Sequence, residues 1–588
     1  MPTFSPPRRW DPRAASLLLV AAMCCIPFLL PRHFPPLRTF YDEWIALALG
    51  AGAIGLASLH RGNQDPRIPT IALWLGAFAL YLSWYSVSGL AAYPQGPLLW
   101  AVYVAFAALL IILGRDLKDH FGQNRVCDMI AALILTGAML NAISGVLQVI
   151  GIPRPIDDFI SYLSGARATG NIGQANLYVN YLSLGIACVA YQVARERIRI
   201  APGMAAACLL MVGISLSGSR SSMLYSVVFA VLGWIAVLRG KAMRDRQVGY
   251  IAIVLGLTSI LMQWLVPICL NFLGIRIEGS FERSSGLDWD TTKDESFGLR
   301  LIAWQFAIRI FTTSPWFGVG PGEFAGAGFG LGLPPELAAG GIWTSPHNLV
   351  LQLLSETGLV GATLVCIAIW TWFRSAIPDF LRAPTPVGWW LTACVSVEII
   401  HALLEYPFWY AHFLALAALF LGISSTNSVG IRPIAFRAVI ASGAIGGAIL
   451  LAICLRDYFR FDLASPIYAG RSLAKDAEFQ QQLDTLAGLR GGLLAPRAEL
   501  WWFLSVPITE IAIEEKIATG TRVLRTWPLH EVALRQCIFL ALAGRESEAR
   551  SLLGHTLKTF PKRRNATLQA LGSAPASAQK LLESTLHP

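Results

Sequence analysis

Four short stretches of this sequence bring charged, hydrogen-bonding and small residues together in patterns that suit chemistry. In Ser217-Gly-Ser-Arg-Ser-Ser222, Arg220 stands among residues too small to cover its guanidinium. Gly218 and the serines, Ser219 among them, add backbone and hydroxyl donors, so the stretch reads as an anion cradle; an arginine snorkelling to lipid phosphates is the other reading. Arg300, Trp304 and Ile308 recur at helical spacing ahead of Pro315-Trp-Phe-Gly-Val-Gly-Pro-Gly322. A helix along the membrane surface would carry Arg300, and the glycines would permit a sharp return, with interfacial anchoring as the alternative.

The third stretch is Ser345-Pro-His347-Asn348, followed by Gln352, Ser355 and Glu356. These residues make one polar stripe at helical spacing, which is costly in lipid unless it lines a cavity, and His347 at its head is a base suited to neutral pH. The fourth joins Arg167, Gln174 and Asn176 with His401, Glu405 and Tyr406. Their side chains suit hydrogen bonds to sugar hydroxyls or the orienting of a base, although His401 and Glu405, four apart, could simply pair with each other.

The elements that must position these residues are membrane helices. Of 588 residues, 55% are hydrophobic and 14% charged, against roughly a quarter charged in a soluble domain. Apolar runs predict about thirteen spans: 14–30, 44–59, 69–87, 97–113, 126–150, 175–194, 204–216, 222–238, 250–270, 348–372, 387–403, 409–424 and 434–455. The first follows Arg8, Arg9 and Arg13 like a secretory signal, but it ends in Phe-Leu-Leu-Pro without a small-residue cleavage site and reads as an uncleaved span. The fold class is therefore an all-α polytopic membrane protein.

With the N-terminus inside, basic loops such as Arg61/Arg67, Arg115/Lys118/Arg125 and Arg195/Arg197/Arg199 fall on one side. The long loops 151–174 and 271–347, and with them all four polar stretches, fall on the other. The net charge of +10 follows this alternation and gives no reason to expect a nucleic-acid partner. Residues 1–455 form the transmembrane domain, and 456–588 a helical tail on the outer side, whose segments 528–543 and 546–559 resemble tetratricopeptide hairpins. Such a tail either binds an acceptor or braces the fold. Eight of the ten cysteines, Cys24, Cys25, Cys188, Cys208, Cys269, Cys366, Cys394 and Cys454, lie in apolar runs as small buried hydrophobes, with no metal-ligand spacing.

Taken together, the stretches resemble the O-antigen ligase and polymerase superfamily, and within it the PglL-type protein O-oligosaccharyltransferases. The likeness is carried by Arg220 in its serine turn, Arg300 with Trp304 and the glycine return, and Ser-Pro-His347-Asn348 with Glu356-x-Gly358. The protein-modifying branch is suggested by His401-Ala-Leu-Leu-Glu405-Tyr406-Pro407 and by Pro35-Pro36 with Phe40-Tyr41-x-Glu43, although Ala402 stands where a serine is usual. The resemblance implies a bacterial inner-membrane glycosyltransferase without cofactor or metal, its active site facing the periplasm. Its donor would be an undecaprenyl-diphosphate-linked oligosaccharide embedded in membrane lipid, and its acceptor a protein such as a pilin, or lipid A core.

Residues His347, Arg220 and Arg300 would be catalytic, and Arg167, Gln174, Asn176, Ser219, Asn348, Glu356, Glu405 and Tyr406 would contact substrate. O-antigen ligation or polymerisation are the related alternatives. A multi-span transporter is the alternative from another class; it predicts coupling charges near the midplane and related halves, whereas these residues gather at one face.

Overall fold

The computed structural model describes residues 11–33, 35–59, 66–151, 156–163, 167–274, 295–332, 337, 343–465 and 476–586. Arg8, Arg9, Arg61 and much of the loop 271–347 lie outside the described residues. The helices are α1 Pro12–Met23, α2 Phe40–Ser58, α3 Thr70–Val87, α4 Gln95–Phe121, α5 Gln123–Ile150, α6 Ala175–Ala194, α7 Ile200–Leu216, α8 Ser221–Arg239 and α9 Met243–Phe272. They continue as α10 Glu295–Thr313, α11 Phe324–Leu331, α12 Leu349–Arg382, α13 Pro386–Leu404, α14 Ala411–Ser424 and α15 Pro433–Ala464. The tail holds α16 Asp476–Gly488, α17 Ala495–Ser505, α18 Ile513–Thr526, α19 His530–Leu542, α20 Glu546–Thr559, α21 Arg564–Gly572 and α22 Ala576–Leu586. Two three-residue strands, Arg67–Pro69 and Ser428–Gly430, pair antiparallel.

Eleven described helices are long and apolar enough to cross a membrane, against the thirteen spans expected; the other two expected runs form the shorter apolar helices α7 and α14. The protein is an all-α polytopic membrane protein. The first run is α1 with a 3₁₀ turn, packed against α2 and α5, and Arg13 is buried there in a 2.8 Å ion pair with Asp116. That arginine is thus a core partner as well as a basic flank. The cysteines correct the expectation in part: Cys24, Cys25, Cys188 and Cys394 are buried, but Cys208, Cys269 and Cys366 are exposed and Cys454 is intermediate. A helix that is apolar all round can present such residues outward to hydrocarbon at no cost.

The chain divides into two compact units. One comprises Met1–Gly76, Ala105–Asp290 and Ile367–Leu451. At its centre lies α6, buried at every residue but Asn176, with α5, α7, α8, α9 and α13 around it. Along the seam between α8 and α9, a Cβ at Gly233, Gly249 or Gly256 would overlap the facing backbone, the small-residue contact that lets membrane helices approach closely.

The other unit comprises Ala77–Val104, Thr291–Cys366 and Ala452–Pro588, so the tail helices group with α10, α11 and the start of α12. Ala303, Phe306, Ala307, Ile310, Phe324 and Leu337 form one of its apolar cores. The segments read from the sequence as hairpin helices are α19 and α20, packed on each other.

Candidate functional site

Candidate residues occur in both units, and each unit builds its own cluster. In the first, the turn between α7 and α8 carries Arg220, half-buried at the N-terminal end of α8, where backbone N–H groups and the helix dipole also favour an anion. Gly218 turns the chain with φ +59°. The Ser219 hydroxyl donates to Asn176 Oδ1 at 2.8 Å and the Ser217 hydroxyl accepts from the Ser219 amide at 3.1 Å. Ser222 Oγ lies 2.6 Å from both Ser219 O and Gln263 Oε1.

Asn176 is the hub of this cluster. Its amide donates to Glu405 Oε1 at 2.7 Å, while its oxygen accepts from Ser219 and, at 3.3 Å, from Arg167. Arg167 also donates to Ser217 O at 2.6 Å. Four residues expected to meet substrate, Arg167, Asn176, Ser219 and Glu405, are therefore brought together, and their bonds to one another fix the turn that carries Arg220. Gln174 instead caps α6, its side chain accepting from Leu177 N at 3.0 Å. Tyr406 is half-buried in an aromatic group, its ring 5.1 Å from Trp409 and 6.2 Å from Tyr410.

The suggested pairing of His401 with Glu405 is replaced by different partners. His401 Nδ1 is 2.6 Å from the Tyr225 hydroxyl, both residues fully buried, and Glu405 turns to Asn176. Nothing in the sequence singled out Tyr225 or Gln263, because a tyrosine or glutamine inside an apolar run has no partner visible along the chain.

In the second unit, Arg300 and Trp304 lie one turn apart on the same face of α10, and the Trp304 indole donates to Pro346 O at 3.0 Å. Trp304 thereby anchors the Ser-Pro-His segment. His347, half-buried, has φ +52°, a left-handed conformation that a non-glycine residue adopts at a cost of about 1–3 kcal/mol and that clusters at functional sites. Its amide donates to Ser345 Oγ at 3.1 Å, and its ring meets that of Trp343 with centroids 5.2 Å apart. Asn348 caps α12, its Oδ1 accepting from Leu351 N at 3.1 Å.

The polar stripe below His347 is buried. Gln352, Ser355 and Glu356 are at most 3% exposed, and the helix breaks just beyond them at Gly358, φ 64° and ψ −168°. The return 315–322 crosses at the break. Its Val319 and Gly320 amides donate to Ser355 O and Glu356 O at 2.9 and 3.1 Å, and its Pro315 and Trp316 carbonyls accept from Leu359 N and Val360 N at 2.8 and 3.2 Å. Tyr81 donates to Thr357 O at 2.9 Å. Glu356 Oε1 takes the amides of Gly322 and Phe324, each at 3.1 Å, so this carboxylate holds the return from inside.

The backbones touch so closely that a Cβ at Gly318 would overlap Glu356, and one at Gly358 would overlap Trp316. Gly318, at φ +73°, also has a conformation that disfavours a side chain. Gly318→Ala should therefore lower thermal stability by about 1–3 kcal/mol or more and reduce transfer, whereas Gly330→Ala, with open space around it, should leave both unchanged. Thermal unfolding and transfer assays on the same detergent-solubilised samples check this.

Residues 205–366 match the family described as O-antigen ligase, and residues 389–572 the family described as virulence factor membrane-bound polymerase, C-terminal. The first match contains Arg220, Arg300 and His347; the second contains His401 and Glu405 and runs into the tail. The chain is 26% identical over 455 residues to the general O-oligosaccharyltransferase of Acinetobacter baylyi, which covers 75% of each protein. It is 23% identical over 329 residues to the ComP-specific O-oligosaccharyltransferase of the same organism, 56% of each.

Proposed function

We propose that this multi-pass membrane glycosyltransferase, with its O-antigen ligase domain and its likeness to O-oligosaccharyltransferases, moves an oligosaccharide from an undecaprenyl-diphosphate carrier to a serine or threonine of a periplasmic or pilin-like protein. The reaction takes place at the outer face of the bacterial inner membrane. The observation that carries this reading is His347, held in a left-handed conformation at the head of α12 by its neighbours, Trp304 gripping the preceding proline and Trp343 facing the ring.

A serine, threonine or sugar hydroxyl is a weak nucleophile, and His347 takes its proton as the oxygen attacks the anomeric carbon. The bond to the diphosphate breaks as the new glycosidic bond forms, so the diphosphate leaves with the electron pair. Arg220 and Arg300 neutralise that growing negative charge, and a guanidinium fixed in a poorly hydrated site does so without reorganising. A general acid is then unnecessary. A single displacement from the face opposite the leaving group inverts the anomeric centre, with no covalent enzyme intermediate and no metal.

Asn176, Arg167, Ser219 and Glu405 support this chemistry by fixing the turn of Arg220, and Asn348 and Glu356 by fixing the elements around His347. Tyr406, in its half-buried aromatic group, suits the face of a sugar ring.

Arg220→Ala and Arg300→Ala should each weaken donor binding and turnover together, because both interactions exist in the ground state and strengthen as the leaving group departs. Lysine at either position should rescue only in part, since a point charge cannot reproduce a bidentate fork. Normal transfer in both alanine variants would place the diphosphate clamp elsewhere.

His347→Ala should insert and bind lipid-linked glycan normally while its single-turnover rate drops by about 10²- to 10⁴-fold. Lost donor binding with intact chemistry would move His347 from the base to the clamp.

A further inference from the structure

The tail helices have no assigned role, and their contacts with the return loop give them one. The last turn of α18 carries Arg525, whose guanidinium meets Glu323 Oε2 at 2.6 and 2.8 Å and donates to Leu90 O at 2.9 Å. The other oxygen of Glu323 accepts from Ala92 N at 2.6 Å. Glu323 is 4% exposed and sits between Gly322 and Phe324, the two residues whose amides Glu356 holds. Burial pushes the Glu323 carboxyl above its ordinary range, against the pull of the Ala92 amide and of Arg525.

Three further contacts grip the same region. A Cβ at Gly326 would overlap the Arg525 carbonyl, so the end of α18 lies directly on α11. Phe329, near the end of α11, is hydrogen-bonded through its carbonyl to His555 and packs with Ala533 and Phe560. Glu499, 4% exposed, accepts from Arg522 at 2.7 Å, Arg490 at 3.1 Å and the Tyr93 hydroxyl at 2.7 Å, which ties α17 and α18 to the loop between α3 and α4. Burial raises the Glu499 carboxyl, but the hydrogen bonds from Arg522 and Tyr93 outweigh it and leave the group below its ordinary range.

We propose that the C-terminal helices are a brace for the catalytic loop, with Arg525 and Glu323 as positioning residues that hold the return 315–322, and through Glu356 the helix that begins beside His347, in register. The physical basis is that Glu323 is buried and shared: removing its cationic partner leaves a buried carboxylate uncompensated, which exposed pairs do not suffer. The loop would then relax by shifting, and a displacement of about 1 Å far from the chemistry can cost on the order of 10²-fold in rate. The inference rests on the proposed transfer reaction for its kinetic consequence, but not for its structural one.

The test compares full-length Arg525→Ala, Arg525→Lys, Gly326→Ala and Arg545→Ala, the last removing an exposed pair with Glu548 in the same tail. Two readouts are taken: kcat and KM for lipid-linked donor and protein acceptor, and amide hydrogen exchange over 315–324 and 343–356. Arg525→Ala and Gly326→Ala should lower kcat by about 10²-fold with both KM values within about twofold, and should speed exchange over both segments. Arg525→Lys should recover most of the rate, and Arg545→Ala should match the parent.

Unchanged exchange and kcat in both Arg525→Ala and Gly326→Ala would overturn the brace. So would a raised acceptor KM at constant kcat, which would make the tail an acceptor platform. A parent protein without transfer activity would refute the proposed function alone, and the exchange data would still decide the brace.

Discussion

A helix broken within an apolar run must hand its freed amide and carbonyl groups to partners other than water, because each one left unsatisfied costs several kcal/mol. At Gly358 in α12 those partners are the return 315–320 and Tyr81, so the break and the return exist only together. Much of the second unit follows from this knit. The glycines at 318 and 358 are there because two backbones touch, Glu356 is buried because its carboxylate takes the amides of the same return, and α11 starts where that return ends. Arg300 stands on α10 and His347 just ahead of α12, the two helices that the knit and Trp304 fix.

The first unit solves a similar problem with side chains. A turn of small residues cannot hold an arginine by packing, so Ser217, Ser219 and Ser222 are pinned by hydrogen bonds, and Asn176 gathers Arg167, Ser219 and Glu405 at one amide. Behind the turn, the bond between Tyr225 and His401 ties α8 to α13 out of reach of water. The first cluster thus carries Arg220 on a turn fixed by hydrogen bonds, and in the second Trp304 ties the helix that bears Arg300 to Pro346.

Much of this was legible in the sequence. Hydropathy alone located the spans, because a bilayer imposes one length and one composition on every crossing, and α7 and α14 were readable although shorter. The polar stretches were visible because polar groups beside lipid are costly, and Arg167, Asn176, Ser219 and Glu405 do come together. Local roles were harder to read. Gln174 and Asn348, expected to contact substrate, each also cap a helix through the side-chain oxygen, a local contact that their place in a polar stretch did not reveal. Glu356 points to a loop more than thirty residues earlier, Tyr225 to His401, and Arg525 to Glu323. No periodicity or spacing carries such long-range pairs, because they are set by tertiary packing.

The likeness to O-oligosaccharyltransferases leaves one decisive question, which acceptor takes the glycan. The most direct measurement offers purified protein an undecaprenyl-diphosphate-linked oligosaccharide together with a pilin-like protein or lipid A core, and identifies the product linkage. Transfer to serine or threonine of the protein, with the anomeric configuration inverted, is the expected result. Transfer to lipid A core alone, or to neither acceptor, would contradict it.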